Sequence, residues 1–91
     1  MREIKRTSEF KRNAKLMIKR GKSLQKLQDL LVLLVNDSEL PEAYKDHPLI
    51  GNYAGFRDCH IEPDWVLIYK KIDEPEPVLH LEATGSHSDL F

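Results

Sequence analysis

The chain has a single cysteine, Cys59, among its 91 residues. An internal disulfide and a zinc site built on paired thiolates are both excluded, which suits a reducing compartment. Long apolar runs are missing too. The longest block, Leu30 to Val35, falls far short of the ~20 residues that cross a bilayer. The N-terminal stretch lacks the apolar segment of a signal peptide, so a cytoplasmic location is expected and no membrane partner. There is no glycine-rich phosphate loop, no GxSxG and no HExxH. With 41% hydrophobic and 32% charged residues the sequence is globular, and its length fits a single domain, residues 1–91, with a small core.

Net charge is nearly absent as well, but the value of -1 hides a division. Met1 to Lys26 carries ten lysines and arginines against two glutamates, whereas the remainder carries four basic and thirteen acidic residues. A cationic first third can meet phosphates or an acidic protein partner, or can be a solvated helix face.

Glu3 to Thr7 reads as a short charged edge strand. Ser8 is a plausible cap for a first helix, in which Phe10, Ala14, Met17 and Ile18 form one apolar stripe and Lys11, Arg12, Lys15, Lys19 and Arg20 occupy the other faces. Gly21 ends it. Ser23 caps a second, leucine-rich helix that runs to about Asn36. The two helices are expected to form an antiparallel hairpin lying on a sheet. A loop then extends from Asp37 to about Tyr53. Gly55 to Ile61 alternates, with Phe56, Asp58 and His60 on one face and Arg57, Cys59 and Ile61 on the other. Trp65 to Ile72 reads as a central strand and Val78 to Thr84 as the last one, each preceded by a proline-containing turn. The order β-α-α-β-β-β predicts an α+β domain, an antiparallel sheet with an N-terminal helical hairpin packed on it.

Chemistry-bearing residues concentrate between Tyr44 and Trp65, which hold two of the four histidines and three aspartates. His47, His60, Asp64 and His87 are the candidates for acid–base work, because imidazoles titrate near neutrality. Cleavage of a phosphodiester by a ribose 2′-hydroxyl needs a base, an acid and positive charge for the phosphorane. Arg57 and Lys45 are candidates for the last part. A metal site drawn from His60, Asp64 and Glu62 or Asp58 has the donor types but no recognisable spacing, so no metal or other cofactor is expected. Alternatively, Asp58 and His60 decorate a solvent-facing sheet. His80, between Leu79 and Leu81, reads as structural or exposed, and Cys59 shares a face with Ile61, which argues against a nucleophile.

Three blocks resemble the YafQ branch of the RelE/ParE toxin superfamily across essentially the whole chain. They are Tyr44-Lys45-Asp46-His47-Pro48-Leu49, the run from Gly55 to Trp65, and Thr84-Gly85-Ser86-His87-Ser88-Asp89-Leu90-Phe91. The resemblance implies a RelE-like fold and a bacterial type II toxin that cuts mRNA in the ribosomal A site without metal. It also implies a DinJ/RelB-like antitoxin as partner, with operator DNA met only through that antitoxin. By position His47, His60, Asp64 and His87 match the family's active-site residues, and Phe91 matches a C-terminal aromatic that stacks on a base. The basic residues of the first helix would face ribosomal RNA or the antitoxin. One position departs: Ala83 stands where the family has an arginine expected to hold the scissile phosphate. That leaves two further readings open, a catalytically impaired homologue that acts through its antitoxin and a non-nuclease gyrase binder like the ParE branch.

Overall fold

The computed structural model describes all 91 residues. Strand β1 is Glu3–Arg6, and helices α1 (Ser8–Lys19) and α2 (Leu24–Val35) follow. After a connection containing the two-residue strand β2 (His47–Pro48) come β3 (Arg57–Glu62), β4 (Trp65–Ile72) and β5 (Val78–Gly85). A short helix, α3 (His87–Leu90), closes the chain.

Helix α1 is capped by Thr7, one residue before the serine expected from sequence. The Thr7 hydroxyl accepts the Phe10 N–H at 2.9 Å and donates to the Glu82 carbonyl at 2.7 Å, so one side chain starts the helix and ties it to β5. At the far end Gly21 takes a φ of +91°, and the Gly21 and Lys22 amides return to the carbonyls of Ile18 and Met17. That double closure needs a left-handed residue and turns the chain into α2, where Ser23 caps as expected.

The sheet order is β1-β5-β4-β3-β2. The expectation of a wholly antiparallel sheet is corrected at one edge, since β1 pairs with β5 in parallel. The hairpin of α1 and α2 carries the chain off the sheet, and three antiparallel strands bring it back alongside β1 running the same way. The Asp37–Tyr53 segment is also more structured than a loop. It holds two single-turn 3₁₀ helices, Glu42–Tyr44 and Gly51–Tyr53, around β2, which pairs with β3. The tail expected after Gly85 is helical.

The two helices cover one face of the sheet. Phe10, Met17, Leu27, Leu30 and Leu34 pack on Cys59, Trp65, Leu67, Tyr69, Leu79 and Leu81. Trp65 satisfies its indole N–H on Thr84 Oγ1 at 3.0 Å, and that hydroxyl donates in turn to the Val66 carbonyl. The opposite face is buried too: Val66, Ile68 and Ala83 are fully covered although none belongs to the helix-side core.

Strand β5 changes phase once. Tyr69 pairs with Leu81 but Ile68 pairs with Ala83, so Glu82 is an extra residue in the ladder. Opposed residues in a sheet share a face. Up to Leu81 the odd positions of β5 face the helices. Past the bulge Thr84 does so, while Ala83 and Gly85 join Ile68 and Val66 on the other side.

Candidate active site

The second face of the sheet gathers the histidines. Asp58 opposes Ile68, and His60 opposes Val66, which fixes both on this face. His47 opposes Asp58 from β2. Lys45 adopts a left-handed conformation, φ 48°, and its carbonyl lies 2.7 Å from His47 Nδ1. A carbonyl only accepts, so Nδ1 carries the proton and Nε2 of the neutral ring is a free base.

Asp58 sits between two imidazoles. Its Oδ1 lies 3.7 Å from His47 Nδ1 and 3.4 Å from His60 Nε2, yet this oxygen has no hydrogen-bond partner. The residue is 3% exposed. Burial pushes its carboxyl above the usual range, against the pull of the His47, His60 and His87 imidazoles.

His87 comes from the other end of the chain. Asp64, in the β3–β4 turn, accepts the His87 backbone N–H at 2.9 Å and the Nδ1–H at 2.7 Å. The backbone bond first, and then the ring bond, hold the Asp64 carboxyl below its ordinary value. An ionised carboxylate on Nδ1 fixes the ring's orientation and leaves Nε2 as the working nitrogen, the geometry that proton transfer requires.

The turn that presents His87 is braced three ways. Ser86 and Asp89 form a reciprocal capping box, and Arg20 at the end of α1 grips Asp89 through both guanidinium nitrogens, at 2.6 and 3.3 Å. Arg20, and then the Ser86 amide, keep the Asp89 carboxyl far below its usual range. Gly85 leaves room for this: a Cβ there would stand 3.0 Å from Asp89 Cβ. Arg20→Ala is expected to leave the melting temperature almost unchanged while lowering turnover by about ten- to a hundredfold, the scale of a misplaced reacting group. Parallel thermal unfolding and cleavage assays check it.

Seven rings run in contact across the face. His47 and His60 have centroids 6.2 Å apart, and His60 meets His87 edge-on at 5.2 Å. His87 meets Phe91 at 6.2 Å, Phe91 meets Tyr53 at 5.7 Å, and Phe56 joins Tyr53 to His80. Phe91, 61% exposed, stands in the middle of the row between His87 and Tyr53. Three imidazoles in one row beside an exposed ring can move protons around a phosphate and hold a base.

The family model for the bacterial toxin YafQ of type II toxin–antitoxin systems matches residues 2–91. This chain belongs to the YafQ toxin family. It is 46% identical over 91 residues to an mRNA interferase toxin YafQ of Escherichia coli, an alignment covering 99% of this chain and 96% of that protein. The toxin in a crystal structure of the E. coli DinJ–YafQ toxin–antitoxin complex superposes with a TM-score of 0.87 at 46% identity, covering 99% of this chain and 97% of that one. A metal-bound toxin from Helicobacter pylori superposes with a TM-score of 0.91 at 38% identity over the whole of both chains. The donors of this chain do not fit a metal by themselves: no three His, Cys, Asp or Glu side chains converge as a ligand set. The nearest approach is Asp58 between its two imidazoles, the carboxyl that burial drives toward its neutral form.

Several residues expected at the site lie elsewhere in this YafQ-family fold. Arg57 opposes Tyr69 and so faces the helix side, where it pairs with Asp46 at 3.1 Å. Burial alone would raise the Asp46 carboxyl, but hydrogen bonds from Arg57 and Tyr69 bring it below its usual value. Lys45 lines the same cavity, about 490 Å³, with Asp46, Arg57, Tyr69 and Lys71. Lys45 therefore serves the histidines through its carbonyl, and Arg57 is spent on Asp46. Arg20 is a brace for α3 rather than a free surface cation. Lys11, Arg12, Lys15 and Lys19 are exposed on α1 and have no acidic partner. Cys59 is fully buried and its thiol, desolvated, is pushed up to about 12, which removes it as a nucleophile.

The bulge settles the direction of Ala83. It lies on the histidine face, in one row across β5, β4 and β3 with Ile68 and Asp58. Asp58, read from sequence as a candidate metal donor or a solvent-facing residue, is instead buried beside the imidazoles, and the aromatic pair Tyr53 and Phe56 was not expected here. The alternation of β3 already placed Phe56 and Asp58 beside His60; nothing in the sequence marks Tyr53, which reaches the face only through the 3₁₀ turn after β2.

Proposed function

We propose that this chain is the toxin of a type II toxin–antitoxin pair and acts as an mRNA interferase, an endoribonuclease that cuts mRNA in the ribosomal A site within the cytoplasm. The row of His47, His60 and His87, with His87 locked on Asp64, carries this reading. His47 Nε2 takes the proton of a ribose 2′-hydroxyl, and the oxygen attacks the adjacent phosphorus. The bond to the 5′-oxygen breaks, and that oxygen leaves with the proton from His87 Nε2. The products are a 2′,3′-cyclic phosphate and a 5′-hydroxyl. His60, between the other two rings, faces the phosphorane and orients its neighbours. Asp64 is a positioning residue, Phe91 stacks on a base, and Arg57 and the Lys45 side chain take no part.

Two further features support the assignment of partners. The unpaired lysines and arginine of α1 offer a cationic surface for ribosomal RNA or the acidic part of an antitoxin. The E. coli relative was solved with the antitoxin DinJ, and a DinJ-like protein is the partner proposed here.

Cleavage of mRNA on programmed ribosomes tests the mechanism. The expected outcome is cyclic-phosphate ends, and no cleavage when the cleaved nucleotide is 2′-deoxy. Cleavage of the deoxy substrate would overturn the mechanism. Ala83 favours a second reading, an impaired homologue that works through its antitoxin. The gyrase reading has no feature of the site in its favour, and an assay of DNA supercoiling alongside translation separates it.

A further inference from the structure

The strand registers place few cations on the histidine face. Lys70 opposes His80 across β4 and β5, and Lys5 opposes the same His80 across β5 and β1. Arg57, Lys71 and Arg6 oppose Tyr69, Leu79 and Leu81 and so alternate to the helix side. Two members of the basic row are already engaged. Lys5 is 3.7 Å from Glu3, and His80 Nε2 is 2.8 Å from Glu82. Lys70 has no carboxylate within ion-pair distance. Its ammonium instead stands over the Phe56 ring, 4.7 Å from the centroid.

Phe56 is also the last ring but one of the arc that begins at His47, the ring before His80. It touches Tyr53 at 6.4 Å, and Tyr53 touches Phe91 at 5.7 Å. Both Tyr53 and Phe56 are partly exposed. Aromatic surface therefore runs without a break from the tail to an uncompensated cation, which is the pattern of a single-stranded nucleic-acid track. Of the carboxylates beside it Glu82 is held by His80, and burial, then the charges of Glu9 and Glu82, push the Tyr53 phenol up.

We propose that Lys70 holds a backbone phosphate of the bound RNA that flanks the scissile one, with Tyr53 and Phe56 as the stacking surface between them. The proposal rests on the endoribonuclease reading and adds a second point of attachment to it. Lys70 lies four residues along β4 from Val66, the residue opposite His60. At ~3.3 Å per residue that is about 13 Å, too far to share one phosphate with the imidazoles. The role is therefore in binding and register, not in proton transfer.

Two measurements test it, one of which needs no turnover. In ¹H–¹⁵N spectra, a short single-stranded RNA made uncleavable by 2′-deoxy substitution is expected to shift the amides around Lys70 and Phe56 together with those around His87. Lys70→Gln should bind about tenfold more weakly, and the slope of log affinity against log salt should lose about 0.7, the share of one phosphate contact on a single strand. Lys70→Arg should restore both. On programmed ribosomes Lys70→Gln should raise KM by about tenfold with kcat nearly unchanged, a split that a merely structural role would not give. Oligonucleotide binding that leaves the Lys70 region unshifted, or a Lys70→Gln variant with normal affinity and salt slope, overturns the proposal. Failure of the unaltered protein to cleave mRNA counts instead against the endoribonuclease reading, and the spectra still decide the place of Lys70.

Discussion

His87→Ala is expected to abolish mRNA cleavage on programmed ribosomes, by about 10²–10⁴-fold, the usual share of a general acid. Its fold should survive. The His87 side chain is about half exposed, and the capping box of Ser86 and Asp89 with its Arg20 brace does not involve the ring. Asp64→Asn should cost less, because an amide oxygen still accepts from Nδ1, whereas Asp64→Ala frees the ring to turn and should approach the His87→Ala loss. The ordering matters more than any single value. If Asp64→Ala matched the parent while His87→Ala did not, His87 would act without its carboxylate. If His87→Ala cut mRNA normally, the acid would have to be sought at His60. Circular dichroism and thermal unfolding of each variant separate these outcomes from misfolding.

Ala83→Arg is expected to raise the cleavage rate by about 10²–10³-fold, the contribution typical of a donor aimed at developing negative charge. Ala83 shares a row with Ile68 and Asp58, so its Cα lies two strand spacings, about 9.5 Å, from that of Asp58. An arginine side chain is long enough to carry its guanidinium across Ile68 toward His60 and the phosphate that the imidazoles would face. The cost is steric. Ala83 is fully covered, and admitting a guanidinium should lower stability by about 1–3 kcal/mol. A rate that rises while the melting temperature falls is the expected combination, measured on the same preparations. A flat rate would mean that the three imidazoles suffice and that position 83 does not limit this member of the family.

Much of this architecture is legible in the residues, for identifiable reasons. Trp65–Ile72 is rich in β-formers and lies between two turns, and the strand has those bounds. Gly21 and Ser23 mark the helix junction because each does something no neighbouring residue can: one takes a left-handed turn, the other caps. The first cap is legible only to within a residue, since Thr7 and Ser8 have the same chemistry and the choice depends on Glu82, far away in sequence. The site divides the same way. Strand alternation alone separates Arg57 from His60, whereas the demand for a phosphate-binding cation pulls Arg57 toward the site against that parity. Asp58 shows the converse. Alternation puts it beside His60, but the strand that pairs over it, β2, has only two residues and no period to read. The bulge at Glu82 has no glycine, proline or asparagine to announce it.

That bulge makes β5 a switch of layers rather than a plain strand. Its first half belongs to the hydrophobic interior through Leu79 and Leu81. Its second half hands Ala83 and Gly85 to the histidine side, while Thr84 turns inward to Trp65. Removing one residue there would not shorten the strand so much as invert everything after it. Thr84 would leave the indole, and His87 would emerge beneath the helices, an entire sheet thickness from Asp64. Length is therefore the least negotiable property of the stretch between Leu81 and His87, whatever latitude its individual side chains have.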